Sequence, residues 1–300
     1  MTRIIYALAK TGALDDPGSP DRNAFTDVTS PEHIALARYF ATQSAVLLKN
    51  DNHTLPLNLS DAKTNGKPFR VAVIGTAGNG TGAIYGGGGS GAVVPKHAVS
   101  VVEAFSKDSR FSVTHSAGDN KHHVAKLVAA ADIGIVVLAQ TSQEGKDRVT
   151  LELPQSDVVK VAASNDQHTP VVVITITPGP YLLDDWIDDV AAVIDMGMPG
   201  EQEGSAVVDL LAGDVNPSGK MTHTTPHRWN EMNMTTSQYP GSKPTNTPPA
   251  CTTTPVPAFH FQPCSPYEAN YSEVSEEPMF LCEHSVALLG AFRLLSARRA

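Results

Sequence analysis

Residues 84–97 read IYGGGGSGAVVPKH, a run of four glycines downstream of RVAVIG (70–75), itself a β-branched stretch suited to a buried strand. A glycine-rich loop after a strand has several chemical uses. A P-loop requires Gly-x-x-x-x-Gly-Lys-Ser/Thr, because backbone amides wrap the phosphates while the lysine and hydroxyl complete the charge and Mg²⁺ contacts. Gly75 and Gly80 have that spacing, but Thr81 and Gly82 stand where the lysine and hydroxyl belong. A dinucleotide fingerprint fits loosely on Gly78, Gly80 and Ala83. The residues that follow cannot supply the helix N-terminus that should meet the pyrophosphate, and Glu103 falls inside a helical segment rather than at a strand end. A nucleophile elbow needs Gly-x-Ser-x-Gly turning into a helix; Ser90 follows Gly88, but Ala92 replaces the second glycine and Pro95 interrupts. On chemistry alone this is a surface loop whose glycines permit tight turns and close backbone approach to a ligand or a second domain.

The carboxylates come next. Glu144 follows ADIGIVVLA (131–139), at the carboxyl end of a predicted parallel strand, where open α/β sheets gather ligands. Its type alone also fits an exposed acid on a strand-to-helix loop, and Asp147 and Arg148 read as a local ion pair shaping that loop. Glu201 and Glu203 in PGEQEG look like a pair, but they fit a helix N-terminus, where negative charge is favoured. His122 and His123 lack ligand spacing and read as solvated surface, and Trp186 in DDWIDD reads as packing rather than a sugar platform. Cys251, Cys264 and Cys282 have no metal-ligand spacing and define neither a disulfide framework nor a zinc site.

The elements that must position these residues follow from periodicity. SPEHIALARYFATQSAVLLKN (30–50) is expected to be a helix, with Pro31 at its first position and apolar residues at three- and four-residue steps. RVAVIG, ADIGIVVLA, PVVVITIT (170–177) and VAAVIDM (190–196) are continuous apolar runs, separated by segments such as SVVEAFSK and LPQSDVVKVAASN that suit helices. Continuous rather than alternating strands imply a sheet covered on both faces, hence a mostly parallel α/β sandwich. Beyond Pro240 the chain turns Pro/Thr-rich and loses apolar periodicity, the mark of a linker or disordered stretch.

Composition bounds the partners. In 300 residues, 41% hydrophobic content is enough to build a proper core, and a net charge of −9 disfavours nucleic acid, whose binding rests on clustered Lys and Arg. The apolar runs are about half the length needed to cross a bilayer, and the first residues lack a signal peptide's apolar region. Asn-x-Ser/Thr sequons at Asn52, Asn58, Asn79, Asn233 and Asn270 hint at a secretory history, leaving the compartment undecided.

Several stretches, taken together, resemble landmarks of glycoside hydrolase family 3, the β-glucosidase and β-xylosidase family. They are ARYFATQSAVLLKNDNHTLPL (37–57), RVAVIG followed by GGGGSGAVVP (86–95), EGKDRVTLELP (144–154) and MPGEQEGSAVVDLLAGDVNPSGKM (198–221), in the family's order from about residue 30 to 240. The resemblance implies an (α/β)6 sandwich that in relatives follows a (β/α)8 barrel, with RIIYALAKTGALDDP (3–17) similar to the connecting stretch. It implies that the catalytic nucleophile belongs to the barrel, whose motif no position here matches. It also implies that Ser142, Glu144, Gly145, Asp147 and Arg148 match the loop bearing the acid/base glutamate, which makes Glu144 the catalytic candidate. The glycine loop would then lie at the barrel-facing end of the sandwich.

The resulting expectation has three parts: 1–29 as linker from a barrel, 30–240 as the sandwich, and 241–300 as a disordered or mis-assembled tail. ANYSE (269–273) recurs beyond the Pro/Thr tract and then departs from the family pattern, as retained intron sequence with a shifted frame, or a truncated gene model, would. The expected function is retaining hydrolysis of a β-linked glucoside or related oligosaccharide, without cofactor or metal and with a barrel domain as partner. A non-catalytic carbohydrate-binding or interaction domain and a Rossmann-like nucleotide-binding protein stay open as alternatives.

Overall fold

The computed structural model describes residues 2–15, 27–60, 66–80, 93–142, 148, 150–229 and 231. They fall in two compact units, one holding residues 2–15 and 27–30, the other running from Pro31 onward. In the first, Thr2–Lys10 forms helix α1.

In the second unit, α2 (Pro31–Ser44) leads into β1 (Val46–Asn50), and β2 (Phe69–Ile74) into the short α3 (Thr76–Asn79). Then come α4 (Val101–Lys107), β3 (Phe111–Ser116), α5 (Lys121–Ala129), β4 (Ile133–Ala139) and α6 (Asp157–Ala163). β5 (Val171–Ile176), β6 (Ala192–Asp195) and α7 (Glu203–Ala212) complete it. The six strands form one sheet in the order β1-β6-β5-β4-β2-β3, parallel throughout except for β1, which runs antiparallel to β6.

Alternate residues of each central strand enter opposite layers, as the period-two pleat requires. Val71, Val73, Ile135, Val137, Val172 and Ile174 face a core closed by α2, α4 and α7. Ala72, Ile74, Val136, Leu138, Val171 and Val173 face the other, closed by α5, α6 and Trp186. The expected α/β sandwich with a mostly parallel sheet is therefore present, and Trp186, 2% exposed, is packing as expected.

Two elements differ from expectation. The helix anticipated from 30 to 50 stops at Ser44, and Val46–Asn50 becomes β1, in register from Val46 opposite Asp195 to Asn50 opposite Ala192. The backbone groups of β6 need a partner on that side, and this pairing overrides the run-on helical pattern. FSVTHS (111–116) forms β3, which the sequence did not mark because an edge strand is half exposed and carries Ser112 and Thr114 between its apolar residues.

Local chemistry fixes the helix ends. Ser100 caps α4 by accepting from Glu103 N–H at 3.2 Å, and Asn120 caps α5 by accepting from His123 N–H at 3.1 Å. α7 ends on Gly213 at φ +77°, where a Cβ would come within 2.6 Å of Pro56. Arg38 of α2 grips the Asp209 carboxylate of α7 with both Nε and Nη2, the Nε contact being 2.6 Å.

Candidate functional site

The parallel strands β2 to β6 end on one edge, so their exit loops converge there. Gly75 leaves β2 at φ +105°, and a Cβ on it would lie 2.6 Å from the Val137 carbonyl oxygen of β4; glycine is needed for both reasons. Its N–H donates to Ser116 O at 2.9 Å, and His115 Nε2 lies 3.1 Å from its carbonyl, joining the exits of β2 and β3. Gln155, just before α6, extends the join. Its Oε1 accepts from Thr76 N–H at 3.0 Å and Thr76 Oγ1 at 2.9 Å, while Nε2 donates to Ala117 O at 2.8 Å. Nothing in the sequence singled Gln155 out, because its role arises from contacts distant along the chain.

The glycine loop from Thr81 to Ala92 lies outside the described residues, so Ser90 and the tetraglycine have no structural account. Its flanks still bear on the nucleotide reading. α3 is a single four-residue turn, too short to offer a pyrophosphate its N-terminus, and Glu103 sits in the first turn of α4 rather than at a strand end.

After β4, Gln140 N–H donates to Ile176 O at 3.0 Å and continues the sheet direction into the loop. Glu144 and Asp147 lie outside the described residues, and with them the expected Asp147–Arg148 pair. Arg148 is described: its Nη2 donates to Pro180 O at 2.8 Å in the turn after β5, while Nη1 is buried without a partner. Burial pulls the Arg148 pKa down.

Beneath that turn, Thr175 Oγ1 lies 2.8 Å from the Tyr181 hydroxyl, which donates to Asp195 Oδ2 at 3.1 Å. Asp195 Oδ1 accepts from Gly197 N–H at 2.8 Å. Burial, then the Asp195 charge, pushes the Tyr181 pKa up, so the phenol stays a donor. This buried chain ties the exits of β5 and β6 together; sequence reasoning missed both Tyr181 and Asp195.

Glu201 and Glu203 do not form a solvent-facing pair. Glu201 is partly exposed, whereas Glu203 is wholly buried in the first turn of α7 with neither carboxyl oxygen hydrogen-bonded. The expectation of a charge stabilised by the helix start needs correction: burial pushes the Glu203 pKa up to about 8. His122 and His123 are exposed on α5, as anticipated. Among the described residues no group of three His, Cys, Asp or Glu side chains could hold a metal ion, and no helix is long and apolar enough to cross a membrane. The three cysteines and the tail 241–300 lie outside the described residues.

Residues 45–270 match the family model of the glycosyl hydrolase family 3 C-terminal domain. The chain belongs to glycosyl hydrolase family 3. It is 33% identical over 232 residues to the probable beta-glucosidase L of Aspergillus terreus, covering 67% of this chain and 30% of that protein. It is 32% identical over 238 residues to the beta-glucosidase cel3A of Pyricularia oryzae, covering 70% and 31%. Among solved structures, the beta-D-glucoside glucohydrolase of Trichoderma reesei superposes with a TM-score of 0.62 at 29% identity, covering 73% of this family 3 chain and 34% of that one. A family 3 beta-glucosidase of Neurospora crassa gives 0.60 at 26% identity, covering 72% and 28%. The chain thus spans about a third of the length of the curated relatives it matches.

Proposed function

We propose that this chain carries the acid/base half of a retaining β-glucosidase-type active site, with Glu144 as the proton donor and acceptor and the nucleophile supplied by a barrel domain. The reading is supported by the family match over 45–270 and by the order of the chain, in which the Ser142 to Arg148 motif comes next in sequence after β4. The relatives at 33% and 32% identity are named beta-glucosidases, which supports a β-linked glucoside as substrate.

The chemistry requires two carboxyl groups about 5–5.5 Å apart in a retaining enzyme. One forms the glycosyl-enzyme intermediate. The other protonates the leaving oxygen and then, as a carboxylate, takes a proton from the attacking water. Glu144 is assigned the second role. Arg148, tied to Pro180, and Gln155, tied to Thr76 and Ala117, hold the flanks of its loop against the neighbouring strand exits.

The test is turnover of an aryl β-glucoside by the purified chain, alone and joined to a family 3 barrel. The joined protein should turn over and the chain alone should not. Turnover by the chain alone, abolished by mutating another of its carboxylates, would overturn the division of labour. Sugar binding without turnover in the joined protein would instead favour a non-catalytic carbohydrate-binding domain.

A further inference from the structure

Glu203 has 0% exposure and no hydrogen-bond partner on either carboxyl oxygen. It lies in the first turn of a ten-residue helix, whose positive end ordinarily favours a carboxylate. Here the nearby amides are committed elsewhere. Glu203 N–H donates to Gly200 O at 3.2 Å, and Gly204 N–H donates to Val99 O at 2.9 Å. Val99 N–H in turn donates to Glu201 O at 2.8 Å, so the two bonds to Val99 flank Glu203 in the chain. Gly204 permits the closeness, since a Cβ there would fall 2.0 Å from Ser100 O. The limb 93–100, which returns from the glycine-rich segment, is thereby clamped to the start of α7.

α7 packs against α2 and α4. Their ionisable groups are Glu32, His33, Arg38 and the exposed Tyr39 on α2, and Glu103 and Lys107 on α4; the limb adds Lys96 and His97. Arg38 is held by Asp209, and both Lys107 and His97 by Glu103. Glu32, His33 and Lys96 are exposed, Glu201 is partly so, and Asp195 on β6 serves Tyr181 and Gly197. None of them hydrogen-bonds to Glu203, and burial alone accounts for the upward push on its pKa.

We propose that Glu203 is a proton-operated latch: as a neutral acid it lets the start of α7 close on the limb 97–100, and its ionisation in alkaline solution opens that clamp. An ionised carboxylate without partners is costly in the interior, and local opening that admits water is the route to solvating it. In the unfolded chain the same group ionises near the ordinary value of about 4.3. Between there and about 8 the folded chain holds the extra proton, so stability falls as pH rises through that window and levels off above it. The latch stands independently of the glycosidase reading.

Hydrogen exchange of the full chain, followed by mass spectrometry at about pH 6 and about pH 9 and corrected for intrinsic exchange rates, tests it. In the wild type, protection of peptides covering 97–104 and 199–206 should fall by about 100-fold across that interval, because each pH unit between about 6 and the folded pKa of about 8 weakens the closed state about tenfold and the loss levels off above it. Glu203→Gln keeps the shape and removes the charge, and should hold its protection across the same interval. Equal loss in both proteins, or none in either, would overturn the latch. If Glu203→Gln fails to fold, carbon-13 NMR of Glu-labelled wild type decides instead: a carboxyl titrating near pH 8 supports the latch, and titration of every Glu below about pH 6 overturns it.

Discussion

Arg148 Nη2 donates to the Pro180 carbonyl at 2.8 Å, pinning the far flank of the loop after β4 to the turn after β5. Its other terminal nitrogen, Nη1, is buried with no acceptor. Arg148→Met removes a useful hydrogen bond and an unsatisfied donor together, and the two effects oppose each other. Urea unfolding of the variant should therefore shift by no more than about 1 kcal/mol. A loss of about 3 kcal/mol would mean that the guanidinium has a charged partner in solution.

Gly204 offers a sharper stability test. A Cβ at that position would meet backbone on the facing limb, with Ser100 O at 2.0 Å and Val101 N at 2.9 Å. Neither can rotate aside as a flexible side chain would. Gly204→Ala should cost roughly 3 kcal/mol or more through forced backbone movement, seen as a lowered urea midpoint. A cost under about 1 kcal/mol would show that the close approach is not held in solution.

Acid should weaken the fold through its bound aspartates. Arg110 donates to Asp108 from Nε at 3.0 Å and Nη2 at 2.7 Å, and its own N–H adds a bond at 2.9 Å. These hold the Asp108 carboxyl below its usual range. For Asp132, burial pushes the pKa up, but the side-chain and backbone hydrogen bonds from Arg70 outweigh it, and the net shift is down. A carboxyl with a depressed folded pKa contributes stability above its unfolded value of about 3.9 and loses it as pH falls toward the folded value. Urea midpoints should drop between about pH 5 and about pH 3, and Asp108→Asn should show a smaller drop than wild type. An identical drop in both would show that the Asp108–Arg110 contact does not bias its titration.

The division between what sequence discloses and what it hides follows burial and distance. RVAVIG, ADIGIVVLA, PVVVITIT and VAAVIDM were readable as β2, β4, β5 and β6 because strands covered on both faces are apolar without interruption. β1 was hidden because the apolar spacing of α2 continues past Ser44 and only pairing with β6 ends the helix. At the candidate site, Gly75 drew notice only through its P-loop spacing with Gly80, and Gln155, Tyr181 and Asp195 drew none, since each acts on residues from another strand exit. Glu203 was misread because a glutamate at a helix start looks the same in sequence whether it faces water or is buried.

The most direct measurement is the leaving-group dependence of Glu144→Ala in the chain joined to a family 3 barrel. If Glu144 protonates the leaving oxygen, glucosides with poor leaving groups should lose about 10²–10⁴-fold in kcat/KM, while activated aryl glucosides, which need little proton assistance, lose far less. Hydrolysis of the glycosyl-enzyme should also slow, and azide, which needs no deprotonation, should restore turnover of the activated substrates. A uniform loss across leaving groups with no azide rescue would contradict the assignment of Glu144 as the acid/base.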